Sequence, residues 1–197
     1  ELLDFIDRVR KSIPSSIPIG YVDAYYEFSH RPRITEVCDV ILTNCYPYWE
    51  GCPIEYSFNH MISMFESAKY AGQNKRIIIT ETGWPSQGGF LKGAVASNEN
   101  AMKYFIDSQN WSKQNEIEMF YFSSFDESWK VGPEGEVGAY WGVWDKNLNT
   151  KEMENMINVC LENKITTFDH ADTYGDYTTE SDFGRAFAAS KIAREKM

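Results

Sequence analysis

No apolar run in the sequence approaches the roughly 18 residues that a membrane span needs, which excludes a spanning helix. Positive charge is scarce as well. Nineteen Lys and Arg stand against 29 Asp and Glu, a net charge of −10, with no basic cluster to offset it. A field of that sign repels phosphate backbones and excludes nucleic acid as a partner. The three histidines, His30, His60 and His170, are isolated and read as surface or locally bonded side chains. Cys38, Cys45, Cys52 and Cys160 show neither C-x-x-C spacing nor a nearby His, so no zinc or other metal centre is expected. Two readings of the thiols stay open: one or two disulfides among the first three, or buried free cysteines. No glycine-rich phosphate turn follows an early strand, which argues against a dinucleotide-binding doubly wound sheet, and no cofactor is implied. The first twelve residues are charged and amphipathic, unlike a signal peptide.

What the chain has is enough length and apolar content for one full core: 197 residues, 43% hydrophobic and 15% aromatic. Its hydrophobic period alternates between helix and strand. Helical stripes are expected over Glu1–Ser12, Ser57–Ala71 (Phe58, Ile62, Phe65, Ala68), Asn98–Gln114, Glu152–Asn163 and Thr179–Ala193. Strands are expected at Pro18–Asp23, Val40–Cys45, Arg76–Thr80, Glu118–Phe125 and Ile165–Phe168. Five strands alternating with helices make an α/β chain with a parallel sheet. Just past each strand lies a cluster of polar and aromatic residues: Asp23-Tyr25-Tyr26, Tyr46-Tyr48-Trp49, Glu81-Trp84, Asp126-Glu127-Trp129 and Asp169-Tyr174. Functional residues gathered at the carboxyl ends of several strands are the habit of (β/α)₈ barrels. A closed barrel needs eight strands, so a partial (β/α)₈ barrel is the expected architecture.

Glu81, in the run IIITETGWPSQ, stands where a buried strand ends. A carboxylate emerging there is costly unless solvated in a cleft or paired. Trp84, in the rigid Gly83-Trp84-Pro85 turn, offers a flat ring suited to the C–H face of a sugar. Glu81 therefore reads either as a catalytic carboxylate or as a strand-end glutamate accepting backbone hydrogen bonds. The Met153-Met156-Ile157 stripe reads as core packing. The glycine-rich stretch Lys130–Gly138 reads as a solvated loop over the strand ends, able to close on a substrate. Asn110-Trp111-Ser112 is a short glycosylation sequon that arises readily by chance.

TETGWPS, together with IPIGYVDAYYEF, VILTNCYPYWEG, FYFSSFDESWK and YWGVWDKN in that order, resembles glycoside hydrolase family 17, its fungal β-1,3-glucanases and glucanosyltransferases, over residues 1–151. The resemblance covers the second half of the family barrel, strands five to eight. It implies a β-1,3-glucan oligosaccharide as substrate and Glu81 as the nucleophile of a retaining double displacement. Tyr46, Tyr48 and Trp84 would line the cleft, with Glu127, Trp129 and Lys130 of FDESWK around the nucleophile. The family's acid/base glutamate lies in a G-N-E motif on strand four, and no G-N-E occurs in these residues. A retaining reaction needs a second carboxyl about 5 to 5.5 Å from the first. Only the first is assigned here: family precedent does not support Glu127 as a stand-in acid, so the resemblance leaves weak or absent activity open.

Residues 152–197, through ENMINVCLENKITTFDHADTYGDYTTESDFGRAF, resemble the first helix, second strand and second helix of an aldo-keto reductase. That resemblance maps the family's Asp and Tyr onto Asp169 and Tyr174. The Lys and His that serve them lie on later strands with no counterpart here, so both positions read as vestigial. Two barrel families meeting near Lys151 imply a chimera of barrel fragments, engineered or a natural fusion. The first part resembles secreted or cell-wall fungal enzymes and the second a cytoplasmic one, so localisation stays open. An open half-barrel exposes sheet edges that favour association, and a homodimer is the expected partner state.

Overall fold

A computed structural model describes residues 1–132, 134–144, 148–171, 174 and 177–197. Four parallel strands form one sheet in the order β1-β2-β3-β6: β1 (Gly20–Ala24), β2 (Val40–Asn44), β3 (Arg76–Thr82) and β6 (Met119–Tyr121). Helix α1 (Leu2–Ser12) precedes the sheet, and the short α2 (Glu27–His30) and α3 (Pro32–Val37), which the hydrophobic period did not reveal, connect β1 to β2. Helix α4 (Ile54–Gly72) joins β2 to β3, and α5 (Asn98–Asn115) joins β3 to β6. A two-residue hairpin, β4 (Phe90–Leu91) with β5 (Ala94–Val95), sits between β3 and α5. The C-terminal part carries α6 (Thr150–Glu162) and α7 (Thr179–Ser190).

Helix α4 buries Ser57, Met61, Met64, Phe65, Ala68 and Gly72, one stripe at helical spacing. Phe58 and Ile62, expected in that stripe, sit at its margin, partly buried. Ile41 and Ile79 come from β2 and β3 to the helix-covered side of the sheet, and both are fully buried. Gly72 permits the close approach of α4, since a Cβ there would stand 2.7 Å from Ile41 Cγ1. Ser97 caps α5 by accepting the Asn100 N–H at 3.1 Å. Asn149 and Glu152 form a reciprocal capping box at the start of α6. Met153, Met156 and Ile157 of α6 pack against Phe183 and Ala186 of α7 as a second core, as the stripe implied.

The sheet falls one strand short of the expected five. Ile165–Phe168 joins no ladder among the described residues; the Ile165 N–H closes the end of α6 by donating to the Cys160 carbonyl at 2.9 Å. A ladder needs strands about 4.8 Å apart. Instead a cavity of about 1010 Å³ has residues 117–129 on its β6 side and residues 164–170 on its C-terminal side. Beyond β6, a parallel bridge joins Phe125 to Trp144. The glycine-rich loop also departs from expectation. Residues 136–139 make a 3₁₀ turn whose Val137, Gly138 and Ala139 are buried, and Pro133 lies outside the described residues. Asp145–Asn147, at the end of YWGVWDKN, lie outside them too. All four cysteines are free thiols. Burial pushes the Cys45 thiol up to about 12.

Candidate active site

A network at the carboxyl ends of β2 and β3 sets the position of Glu81. The β2–β3 register shifts after Thr43 pairs Ile79, so Asn44 stands opposite Glu81. Thr80 Oγ1 donates to Asn44 Oδ1 at 2.8 Å, and Asn44 Nδ2 donates to Glu81 Oε2 at 3.3 Å. Tyr46 Oη donates to the same Glu81 oxygen at 3.0 Å. Beneath them, Thr82 Oγ1 bonds both the Cys45 carbonyl and the Tyr104 hydroxyl at 2.7 Å, tying β2, β3 and α5 together. Asn44 and Thr80 were missed in the sequence. Their signal is positional: each is a polar residue beside the end of an otherwise apolar strand.

The electrostatics follow from burial. Burial, then the Glu81 charge, holds the Tyr46 phenol far above its ordinary range, so it stays a proton donor to Glu81. Burial also raises the Glu81 carboxyl; the Tyr46 hydrogen bond and the Lys130 charge oppose this, and Glu134 and Asp169 add to it. The sign for stability follows. A raised carboxyl makes the folded chain bind more protons than the unfolded one, so stability falls as pH rises from the ordinary carboxylate value through the folded one. Glu81→Gln is therefore expected to melt higher than the parent near neutral pH and level with it below about pH 4. A Gln variant that melts lower at neutral pH would refute this.

Glu127 is 6% exposed. Its Oε2 lies 2.7 Å from Lys130 Nζ, and the ammonium also sits 4.4 Å from the Phe122 ring centroid. Glu81, Phe122, Glu127 and Trp129 all line the 1010 Å³ cavity, and Trp129 is 48% exposed there. Asp169 and Tyr174 line it too. Tyr48 and Trp84, expected on the cleft wall, are instead core residues, each 1% exposed. Their rings meet edge-on at 5.3 Å, and Trp84 Nε1 donates to the Val95 carbonyl at 3.0 Å. His60 pairs with Glu50 at 2.6 Å, while His170 is half-buried against Phe183. Among the described residues no three His, Cys, Asp or Glu side chains group as a metal site would require. No helix among the described residues is long and apolar enough to cross a membrane. The Asn110 sequon lies within α5, where Ser112 Oγ is engaged with the Ile117 carbonyl.

Residues 1–142 match the model of the BtgE/BtgC glycoside hydrolase domain. The chain belongs to that family. It is 28% identical over 167 residues to a glucan 1,3-beta-glucosidase of Arthroderma benhamiae, covering 77% of this chain and 54% of that protein. A glucan 1,3-beta-glucosidase of Schizosaccharomyces pombe is 27% identical, covering 76% and 49%. Among solved structures, the family 17 β-1,3-glucanosyltransferase of Rhizomucor miehei superposes with a TM-score of 0.67 at 34% identity, over 73% of this chain and 52% of that one. An active-site mutant of the same enzyme was solved in complex with laminaritriose. The chain thus spans about half the length of these relatives. The fold agrees with theirs as a partial (β/α)₈ barrel, not closed among the described residues. Asn44, Tyr46, Thr80, Glu81, Glu127, Trp129 and Lys130 fall inside the matched stretch, whereas Asp169 and Tyr174 lie beyond it.

Proposed function

We propose that this domain acts on β-1,3-linked glucan by a retaining displacement in which Glu81 is the nucleophile. The supporting observation is the Glu81 carboxylate itself, which faces the cavity at a strand end with one oxygen held by Tyr46 at 3.0 Å and Asn44 at 3.3 Å. Both donors leave the other oxygen for attack. In this reading the carboxylate attacks the anomeric carbon as the glycosidic C–O bond breaks, and the leaving oxygen takes a proton. Water or a sugar hydroxyl then attacks the glycosyl-enzyme, losing its proton to a base and releasing Glu81. Lys130, partly exposed, forms an ion pair with the buried Glu127, and its charge acts on Glu81. Their proposed role is to hold positive charge near Glu81, because a glutamate gripped by an ammonium at 2.7 Å is poorly placed to deliver protons. Tyr46 and Trp129 would meet the sugar, with Tyr48 and Trp84 supporting the strand ends from beneath.

The test needs no acid/base residue. A 2-deoxy-2-fluoro-β-glucoside with a fluoride or dinitrophenolate leaving group departs unprotonated and leaves a slowly hydrolysed glycosyl-enzyme. Mass spectrometry of peptides is expected to find the added sugar on Glu81. Labelling of another carboxylate, or none after prolonged incubation, would overturn the assignment.

A non-catalytic sugar-binding role is the other reading, and it would keep the cavity and its aromatics while losing the labelling. The family match stops at residue 142 while the chain continues through α6 and α7, which is what a junction near Lys151 would produce. We keep the proposal that residues 152–197 derive from an aldo-keto reductase-like barrel without reductase activity. The outer edges of β1 and β6 carry no strand partner among the described residues, the arrangement that favours a homodimer.

A further inference from the structure

The cavity beside Glu81 extends past the family match onto the connection between α6 and α7. Residues 168–170 of it are anchored from behind. Phe168 packs on Phe183 with ring centroids 5.0 Å apart, and His170 packs on the same ring at 4.5 Å. Phe183 is buried among Met153, Met156, Ile157 and Ala186. Asp169 lies between those two anchored rings, exposed, on the cavity wall.

The carboxylates around it are engaged. Glu118 pairs with Arg76, Glu127 with Lys130 and Asp182 with Arg185, and Asp126 accepts the Gly142 N–H at 2.9 Å. Asp169 makes no hydrogen bond or ion pair among the described residues. Its charge acts on both Glu81 and Tyr174, which places it in the same field as the candidate nucleophile. The Tyr174 phenol is pushed up, by burial first and then by Glu127, Asp169 and Glu81, and so keeps its proton. The buried His170 Nε2 has no hydrogen-bond partner among the described residues, and burial lowers that imidazole, favouring its neutral form.

This wall presents a free carboxylate acceptor, a phenol donor and, across the cavity, the exposed Trp129. A pyranose offers the complement: adjacent hydroxyls that donate and accept, and an apolar C–H face. An anionic ligand would instead meet Glu81, Glu127 and Asp169. At about 1010 Å³ the cavity lies at the top of the range of about 300–1,000 Å³ common for small-molecule sites, room for more than one sugar ring.

We propose that Asp169 and Tyr174 form a second glucosyl subsite for a sugar unit beyond the one at Glu81. The inference rests on the glucan reading above. Its test is chain length. The affinities of a β-1,3-linked disaccharide and hexasaccharide are measured by calorimetry for the parent, Asp169→Asn, Tyr174→Phe and the double variant. The double variant is expected to lose about tenfold in hexasaccharide affinity while the disaccharide changes less than about twofold. Each single variant should show part of that loss, and melting curves check that all remain folded. An unchanged ratio of long to short affinity, with Glu81 of the parent still labelled by the fluoroglucoside, overturns the subsite alone. Equal losses for both lengths also overturn it as a separate subsite. A parent that neither binds the hexasaccharide nor labels at Glu81 overturns both readings together.

Discussion

Glu81→Ala is expected to lower turnover of a dinitrophenyl β-glucoside at least about a thousandfold, and added azide is expected to restore it as the α-glycosyl azide. The reasoning is stereochemical. In the proposed mechanism, Glu81 displaces the leaving group from one face and water displaces Glu81 from the other, so configuration is retained. Removing the carboxylate leaves a space at the anomeric carbon that the small azide anion can enter. Azide then forms the new C–N bond as the phenolate leaves with its electron pair, a single displacement that inverts. Dinitrophenolate needs no proton, so the result does not depend on where the acid/base group lies. Tyr46 and Asn44 would remain as donors facing that space, which favours an anion there. A β-azide, or undiminished turnover by the alanine variant, would remove Glu81 from the role.

Glu81 was legible because its position is a property of the chain alone: three successive isoleucines and a threonine, then a carboxylate near the end of an apolar strand. Its setting was not. Asn44 reaches it through a register shift between β2 and β3, and no local pattern announces which residue of one parallel strand will face which of the next. Trp84 was misread for a related reason. Adjacency in sequence to a carboxylate suggested a shared cleft, yet side chains alternate along extended backbone. Glu81 faces the cavity while Thr82 and Trp84, one and three residues on, are both fully buried. Counting parity from Ile79, which is fully buried, would have pointed to a bulge before Thr82.

The same contrast runs through the fold. Helices α4, α5, α6 and α7 were legible within a few residues because each carries its own stripe and three-residue-scale punctuation, such as Ser97 before α5 and Asn149 before α6. Strands β1, β2 and β3 were legible as apolar runs ended by turn residues. Ile165–Phe168 has the composition of a strand, but a strand exists only with a neighbour. Here the facing chain leaves β6 at Tyr121, and the cavity intervenes. Asp169 and Tyr174 line the same cavity as Glu81, a tertiary placement that no motif carried.

Trp84 supplies the sharpest separation of the two ways of reading this molecule. As a sugar platform, its loss would weaken glucan binding and spare the fold. As the core residue it is, 1% exposed and in ring contact with Tyr48 at 5.3 Å and Tyr104 at 5.6 Å, its loss should do the reverse. Trp84→Ala is expected to cost about 3 to 5 kcal/mol, a large share of the ~5–15 kcal/mol typical of a whole domain. Trp84→Phe should cost much less, about 1 to 2 kcal/mol. The indole N–H bond is lost in both, but the Val95 carbonyl keeps a second donor in Asn100 Nδ2 at 2.9 Å, so no acceptor is left bare. What distinguishes the variants is then the cavity each leaves between α5 and the β3 turn. Urea unfolding followed by near-ultraviolet dichroism measures both costs. Sugar binding by whatever fraction of Trp84→Ala remains folded should match the parent. A stable Trp84→Ala protein with impaired binding would return the indole to the cleft and displace the packing account given for the end of β3.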